Sequence, residues 1–83
     1  MTPEQAAEEA KILYQALWDK FPAQSAIHFD LKPFVKDCAR ICQQRVVDSL
    51  EWVGKRTMDT DAFILLMEER ADQIMILEQI DKL

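Results

Sequence analysis

The chain has 83 residues, of which 49% are hydrophobic and 30% are charged, and its formal net charge is −5. A chain of this length forms one domain, here 1–83, and removes only about 60 to 65% of its unfolded surface from water, so its stability margin is thin. The single glycine, Gly54, argues against strand hairpins, which need residues of positive φ at regular spacing, and against a glycine-rich phosphate loop. The composition therefore predicts a small all-α domain.

The first predicted helix covers 3–21. Thr2 and Gln5 have the spacing of a capping box, and Pro3 suits the first helical position because that amide has no acceptor within the helix. A proline at position 22 ends the helix, since the residue before a proline avoids the α region. The apolar stripe of this helix consists of Ala6, Ala10, Leu13 and Leu17.

The second predicted helix covers 31–54, with Asp30 as its cap and Gly54 as the residue that ends it. Residues 22–32 form the connection before it, and we expect them to pack against the domain because the stretch 26–29 carries two large apolar residues, Ile27 and Phe29. The apolar stripe consists of Phe34, Val35, Cys38, Ile41, Cys42, Val46, Leu50 and Val53. Both cysteines of this stripe are predicted to be reduced core thiols.

The third predicted helix covers 59–82, with Asp59 or Thr60 as its cap, and it is the most apolar part of the chain. Its apolar residues spread well beyond one face, and the additional ones are Ile64, Leu65, Leu66, Met75, Ile76 and Ile80. We expect an antiparallel three-helix bundle that self-associates through these six residues. The alternative is a central helix buried within one chain. If Trp52 is exposed, it is the favoured anchor for a partner.

The charges are unevenly distributed along the chain. Residues 1–30 carry two basic and five acidic side chains. Residues 31–56 carry six basic and three acidic side chains, and residues 57–83 carry two basic and seven acidic ones. A basic second helix therefore lies between two acidic ones. The acidic surface proposed to contact a partner consists of Glu68, Glu69, Asp72, Glu78 and Asp81.

These patterns predict a protein–protein interaction module that acts as an adaptor, regulator or inhibitor of a partner protein. We also expect a homo-oligomer, with a dimer favoured. An inhibitor of this charge could occupy a basic surface of its partner. No enzyme or cofactor is predicted, because the single histidine has no catalytic motif around it. The longest apolar run, 62–67, is far short of the roughly 20 residues that cross a bilayer, so a cytoplasmic protein is expected.

A nucleic-acid-associated protein is the first alternative. Its contacts are the basic ridge of the second helix, which consists of Lys32, Lys36, Arg40 and Arg45. The net negative charge disfavours this function. The same ridge is explained without a ligand if it pairs with acidic residues of the neighbouring helices.

A metal or small-ligand site is the second alternative. Cys38 and Cys42 are one helical turn apart, and His28 lies in the connection before them. No fourth ligand is evident in the sequence. Zinc sites usually combine two closely spaced pairs of ligands, so the pattern favours two core cysteines and no metal.

Overall fold

The computed structural model describes residues 1–20 and 31–83, and within them the chain forms three helices and no strand. They are α1 (Pro3–Trp18), α2 (Lys32–Arg56) and α3 (Thr60–Ile80). The predicted all-α three-helix bundle is confirmed. α1 ends earlier than predicted, and α2 continues further. The predicted cap Asp30 and the residues 22–30, which were expected to pack against the domain, lie outside the described residues. Among the described residues no helix has the length and hydrophobicity to cross a membrane.

Local hydrogen bonds fix the beginnings of α1 and α3. The Thr2 hydroxyl accepts from the Gln5 backbone N–H at 3.2 Å, and the Gln5 side-chain oxygen accepts from the Thr2 N–H at 2.9 Å. The Asp59 carboxylate accepts from the backbone N–H groups of Asp61 at 2.9 Å and Ala62 at 3.4 Å. Each cap stabilises its helix by about 1 kcal/mol. The predicted capping box and the predicted Asp59 cap are both present.

The core forms where α1 crosses the other two helices. Ala6 and Ala10 are fully buried and cluster with Ala39 of α2 and with Ile76 and Ile80 of α3. Alanine leaves room for helix backbones to approach closely, because the interaxial distance depends on the side chains at the contact. Leu13, Leu17 and Met75 pack around this cluster. The predicted apolar stripe of α1 is therefore its core-facing side.

α2 buries a different face from the one its hydrophobicity predicts. The buried row steps by four residues and consists of Val35, Ala39, Gln43 and Val47. Most of the predicted stripe lies outside the core, and its exposed members are Phe34, Ile41, Cys42, Val46 and Val53. α2 carries apolar side chains around more than half of its circumference, so periodicity alone could not show which side the other helices cover. The prediction of the α2 core face was wrong in this respect.

Gly54 does not end α2, which contradicts the predicted cap. The helix continues to Arg56, and no described glycine has a positive φ. Gly54 is buried against α3 instead, and a Cβ placed on it lies 2.5 Å from the terminal methyl carbon of Met67 and 3.9 Å from the Phe63 ring. The glycine therefore lets the two helices approach closely at this end of the pair.

α2 and α3 form an antiparallel hairpin with polar contacts along its length. At one end the Arg40 guanidinium lies 2.8 Å from the Asp81 carboxylate. In the middle the buried Gln43 side chain donates to the backbone oxygen of Gln73 at 2.9 Å and to its side-chain oxygen at 2.7 Å. Toward the other end Arg70 lies 3.8 Å from Glu51. These contacts set the register of the hairpin.

Replacing Gly54 with alanine is expected to raise the free energy of unfolding by a few tenths to about 1 kcal/mol, because alanine is favoured over glycine inside a helix. The added Cβ meets the flexible end of Met67, which can rotate away. Gly54→Leu has no such room and should lower stability. Urea unfolding followed by circular dichroism measures both. A loss of stability in Gly54→Ala would show that Met67 is held rigidly.

Gln43→Leu is expected to change the free energy of unfolding by less than about 1 kcal/mol, because both the lost hydrogen bonds and the gained apolar burial are modest. Gln43→Ala loses the hydrogen bonds and gains no apolar burial, so it should lower the free energy of unfolding more than Gln43→Leu does. Gln44→Leu, on the exposed neighbouring position, is the control for a general effect of leucine on α2. A loss above about 2 kcal/mol in Gln43→Leu would instead make this hydrogen bond a principal stabilising contact.

Candidate protein-interaction surface

α1 covers only part of the α2–α3 hairpin. Its buried alanines contact the first half of α2 and the last turns of α3. A cavity at its edge is lined by Glu9, Ile12, Leu13, Ala16, Gln43, Gln73 and Ile76. α1 has 16 residues and α2 has 25, which correspond to about 24 Å and about 37 Å of helix. We call 46–56 of α2 and 60–67 of α3 the distal half of the hairpin.

Large apolar side chains are exposed throughout the distal half. They are Val46 at 42%, Trp52 at 58%, Val53 at 43%, Phe63 at 41%, Ile64 at 48% and Leu65 at 66%. Only Val47 and Gly54 are buried in this region. Two helices alone cannot enclose apolar residues on both of their sides. In the part of the chain that the structure describes, no third helix covers this half of the hairpin, and a large apolar surface stays exposed.

Part of that surface continues the face that α1 covers. Val46 lies seven residues after the buried Ala39, and Val53 lies seven residues further on, so each is about two helical turns from the last. Leu65 lies 11 residues, about three turns, before the buried Ile76. We call the resulting apolar strip the open groove, and its residues are Val46, Leu50, Val53, Leu65 and Leu66.

The six residues predicted to mediate self-association differ in their exposure to solvent. Ile76 and Ile80 are 6% and 0% exposed and pack against α1 within the same chain, so assigning them to an intermolecular surface was wrong. Leu66 and Met75 are half-buried. Ile64 and Leu65 are exposed and lie in the distal half. The reason for the division is that the alanine face of α1 reaches one half of α3 and not the other.

The side chain of Trp52 is exposed, as the predicted role of this residue as an anchor for a partner requires. The Arg56 guanidinium lies 3.7 Å from the centre of the Trp52 ring and donates to the Trp52 backbone oxygen at 3.0 Å. This cation–π contact holds both side chains on the outer side of α2. A shallow depression beside the ring is lined by Asp48, Ser49, Trp52 and Val53. Exposed tryptophan and arginine are the residue types that most often dominate binding energy.

The predicted acidic surface is partly engaged within the chain. Asp81 accepts a hydrogen bond from Arg40 at 2.8 Å, and Asp72 lies 3.4 Å from the N-terminal ammonium group of Met1. Glu68, Glu69 and Glu78 are exposed, and Glu69 accepts from the Gln73 side chain at 2.7 Å. Of the acidic residues of α3, those closest in sequence to Leu65 and Leu66 are the exposed Glu68, Glu69 and Asp61.

The basic ridge of α2 contacts the end of α3. Lys36 donates to the backbone oxygen of Asp81 at 2.8 Å, while Arg40 donates to the Asp81 and Asp37 carboxylates at 2.8 and 2.6 Å. The hydrogen bond to Asp81, followed by that to Asp37, raises the pKa of Arg40 above its ordinary value. Lys32 and Arg45 are exposed. Arg40 of the ridge therefore pairs with a carboxylate of the segment that ends α3, and Lys36 bonds a backbone oxygen there, which agrees with the interpretation that needs no ligand.

The two cysteines of α2 differ in burial, and they do not both lie in the core. Cys38 is half-buried and Cys42 is exposed, so the prediction of a core thiol was wrong for Cys42. The described residues contain no group of three His, Cys, Asp or Glu side chains placed to hold a metal ion. His28, the third member of the predicted metal alternative, lies outside the described residues.

Comparison of the chain with protein-family models, with curated proteins and with solved structures gave no match.

Cys42 is expected to react with iodoacetamide several-fold faster than Cys38 in the folded protein, because its side chain is more exposed to the reagent. Mass spectrometry of peptides after timed alkylation measures the two rates separately. In urea the two rates should become similar, which controls for intrinsic reactivity. Equal rates in the folded protein would show that the exposed face of α2 is covered in solution.

Proposed function

We propose that this chain is a small acidic helical protein–protein interaction module that acts as an adaptor, regulator or inhibitor of a partner protein. The observation that supports it is the exposure of Trp52, Val53 and Leu65 in the distal half of the hairpin, over which none of the described helices lies. The interaction surface comprises the open groove, Ile64 of α3 and Trp52 on the outer side of α2.

The size of this surface fits a docking function. The six exposed apolar side chains of the distal half present on the order of 600 Å² to solvent in total, spread over more than one side of the hairpin. A standard interface buries about 800 Å² on each partner. A partner on one side therefore covers part of this apolar surface, and polar residues at its edge supply the rest of the contact area.

We also propose that the chain self-associates through the exposed part of α3. Of the six α3 residues predicted for this contact, Ile64 and Leu65 are exposed to solvent. We expect a dimer that forms at high concentration and dissociates on dilution, because two copies bring acidic residues of α3 to the same contact.

Light scattering behind a sizing column tests self-association over a range of concentrations. The molar mass of the wild-type chain should rise toward that of a dimer, and Leu65→Glu should remain a monomer because a buried unpaired carboxylate is costly. Ile41→Glu is the matched control, since Ile41 is 57% exposed and lies outside the distal half.

A wild-type chain that stays monomeric at its highest soluble concentration would remove self-association from the proposal. A dimer that Ile41→Glu disrupts as strongly as Leu65→Glu would move the contact to the outer side of α2. Circular dichroism of each variant checks that the helices are retained.

A further inference from the structure

We propose that the open groove binds a basic amphipathic helix of a different protein. This inference rests on the proposed function and specifies the chemistry of the partner. Three features support it: the continuity of the groove with the α1 contact, the charges along α3, and the repulsion that a second copy would meet at the same place.

The occupant is a helix because the groove continues an existing helix contact. In the other half of the hairpin α1 lies over Ala39 and Ile76, and Val46 and Leu65 extend the same faces of α2 and α3 by two and three turns. From Val46 to the end of α2 the groove is about 17 Å long, which accommodates roughly eleven or twelve helical residues. Docking of an amphipathic helix into an apolar groove is a common mode of peptide recognition.

The charges along α3 favour a basic helix. Asp61, Glu68 and Glu69 are exposed in the first half of α3, and Glu69 lies seven residues before Ile76, which places it on the groove side. Arg70 is the single basic residue between Thr60 and Ile80, and it pairs with Glu51 of α2 at 3.8 Å. The α3 side of the groove is therefore apolar and acidic.

The basic residues of α2, on the side of the groove opposite α3, determine how the bound helix is placed. Arg45 and Arg56 lie on the outer side of α2, and Arg56 is stacked on Trp52. Basic residues of the partner helix therefore follow α3, where they meet Glu68 and Glu69, while its apolar residues contact Val53 and Leu65. This arrangement pairs opposite charges along one edge only.

A second copy of the chain is a poorer occupant. α1 already covers the other half of the hairpin, so a second copy that occupies the open groove would place the two distal halves against each other. Each copy would contribute Asp61, Glu68 and Glu69 to the contact, and juxtaposed like charges cost free energy. A basic helix avoids this repulsion, and its binding should dissociate any dimer that forms through the same surface.

The probe is a labelled fifteen-residue helical peptide of leucine, alanine and lysine, with leucines on one face. A second peptide has glutamate in place of every lysine, and a third has the lysine peptide's composition in scrambled order. Fluorescence anisotropy at constant ionic strength gives the affinity of each for the full chain. The lysine peptide should bind at least about tenfold more tightly than either control.

Two sets of variants locate the contact. One set neutralises the groove rim and consists of Asp61→Asn, Glu68→Gln and Glu69→Gln. The other changes the net charge equally at exposed positions elsewhere and consists of Glu4→Gln, Glu8→Gln and Asp19→Asn. The rim set should weaken binding about tenfold, and the distant set less than threefold. Leu65→Ser should weaken binding, and Ile41→Ser should leave it unchanged.

The outcomes separate this inference from the proposed function. Equal weakening by both charge sets, or equal affinity for the lysine and glutamate peptides, would overturn the basic helix while leaving an interaction module in place. A concentration-dependent dimer together with no binding of the lysine peptide would make the second copy the occupant. A chain that binds none of the peptides and stays monomeric would overturn both proposals.

Discussion

The contact between the alanine face of α1 and the α2–α3 hairpin determines the rest of the structure. Ala6 and Ala10 are fully buried beside Ala39, and their small side chains let α1 approach both other helices. Because α1 is nine residues shorter than α2, this contact covers only one half of the hairpin. The exposure of Val53 and Leu65 in the other half follows from that difference in length.

Sequence patterns predicted the features that depend on neighbouring residues. The caps at Thr2 and Asp59 are local hydrogen bonds, so their residue types and spacing were sufficient. The core face of α1 was predictable because that helix has one apolar stripe. The core face of α2 was not, since the choice between Ala39 and bulkier exposed residues such as Ile41 depends on how closely the other helices approach.

The exposed apolar residues of the proposed interaction surface were predictable only in part. The excess of apolar residues on α3 indicated that some would lie outside the core, and Ile64 and Leu65 do. Periodicity could not show that Ile76 and Ile80 are the ones that α1 covers, because that depends on the position at which α1 crosses the hairpin. The contribution of Val46 was missed, although its spacing of seven residues from Ala39 was available in the sequence.

The open groove links binding to stability. Among the described residues, the largest side chains that are fully buried are Ile80 and Val35, and a chain of this size has little apolar burial to offset conformational entropy. Covering the apolar surface of the open groove contributes about 25 cal/mol for each Å² removed from water, before the costs of association, which cancel most of it. A partner that binds only the folded chain also shifts the folding equilibrium toward that state. Under the proposed function, a partner that covers residues such as Leu65, which are exposed in the isolated chain, would therefore also stabilise the fold.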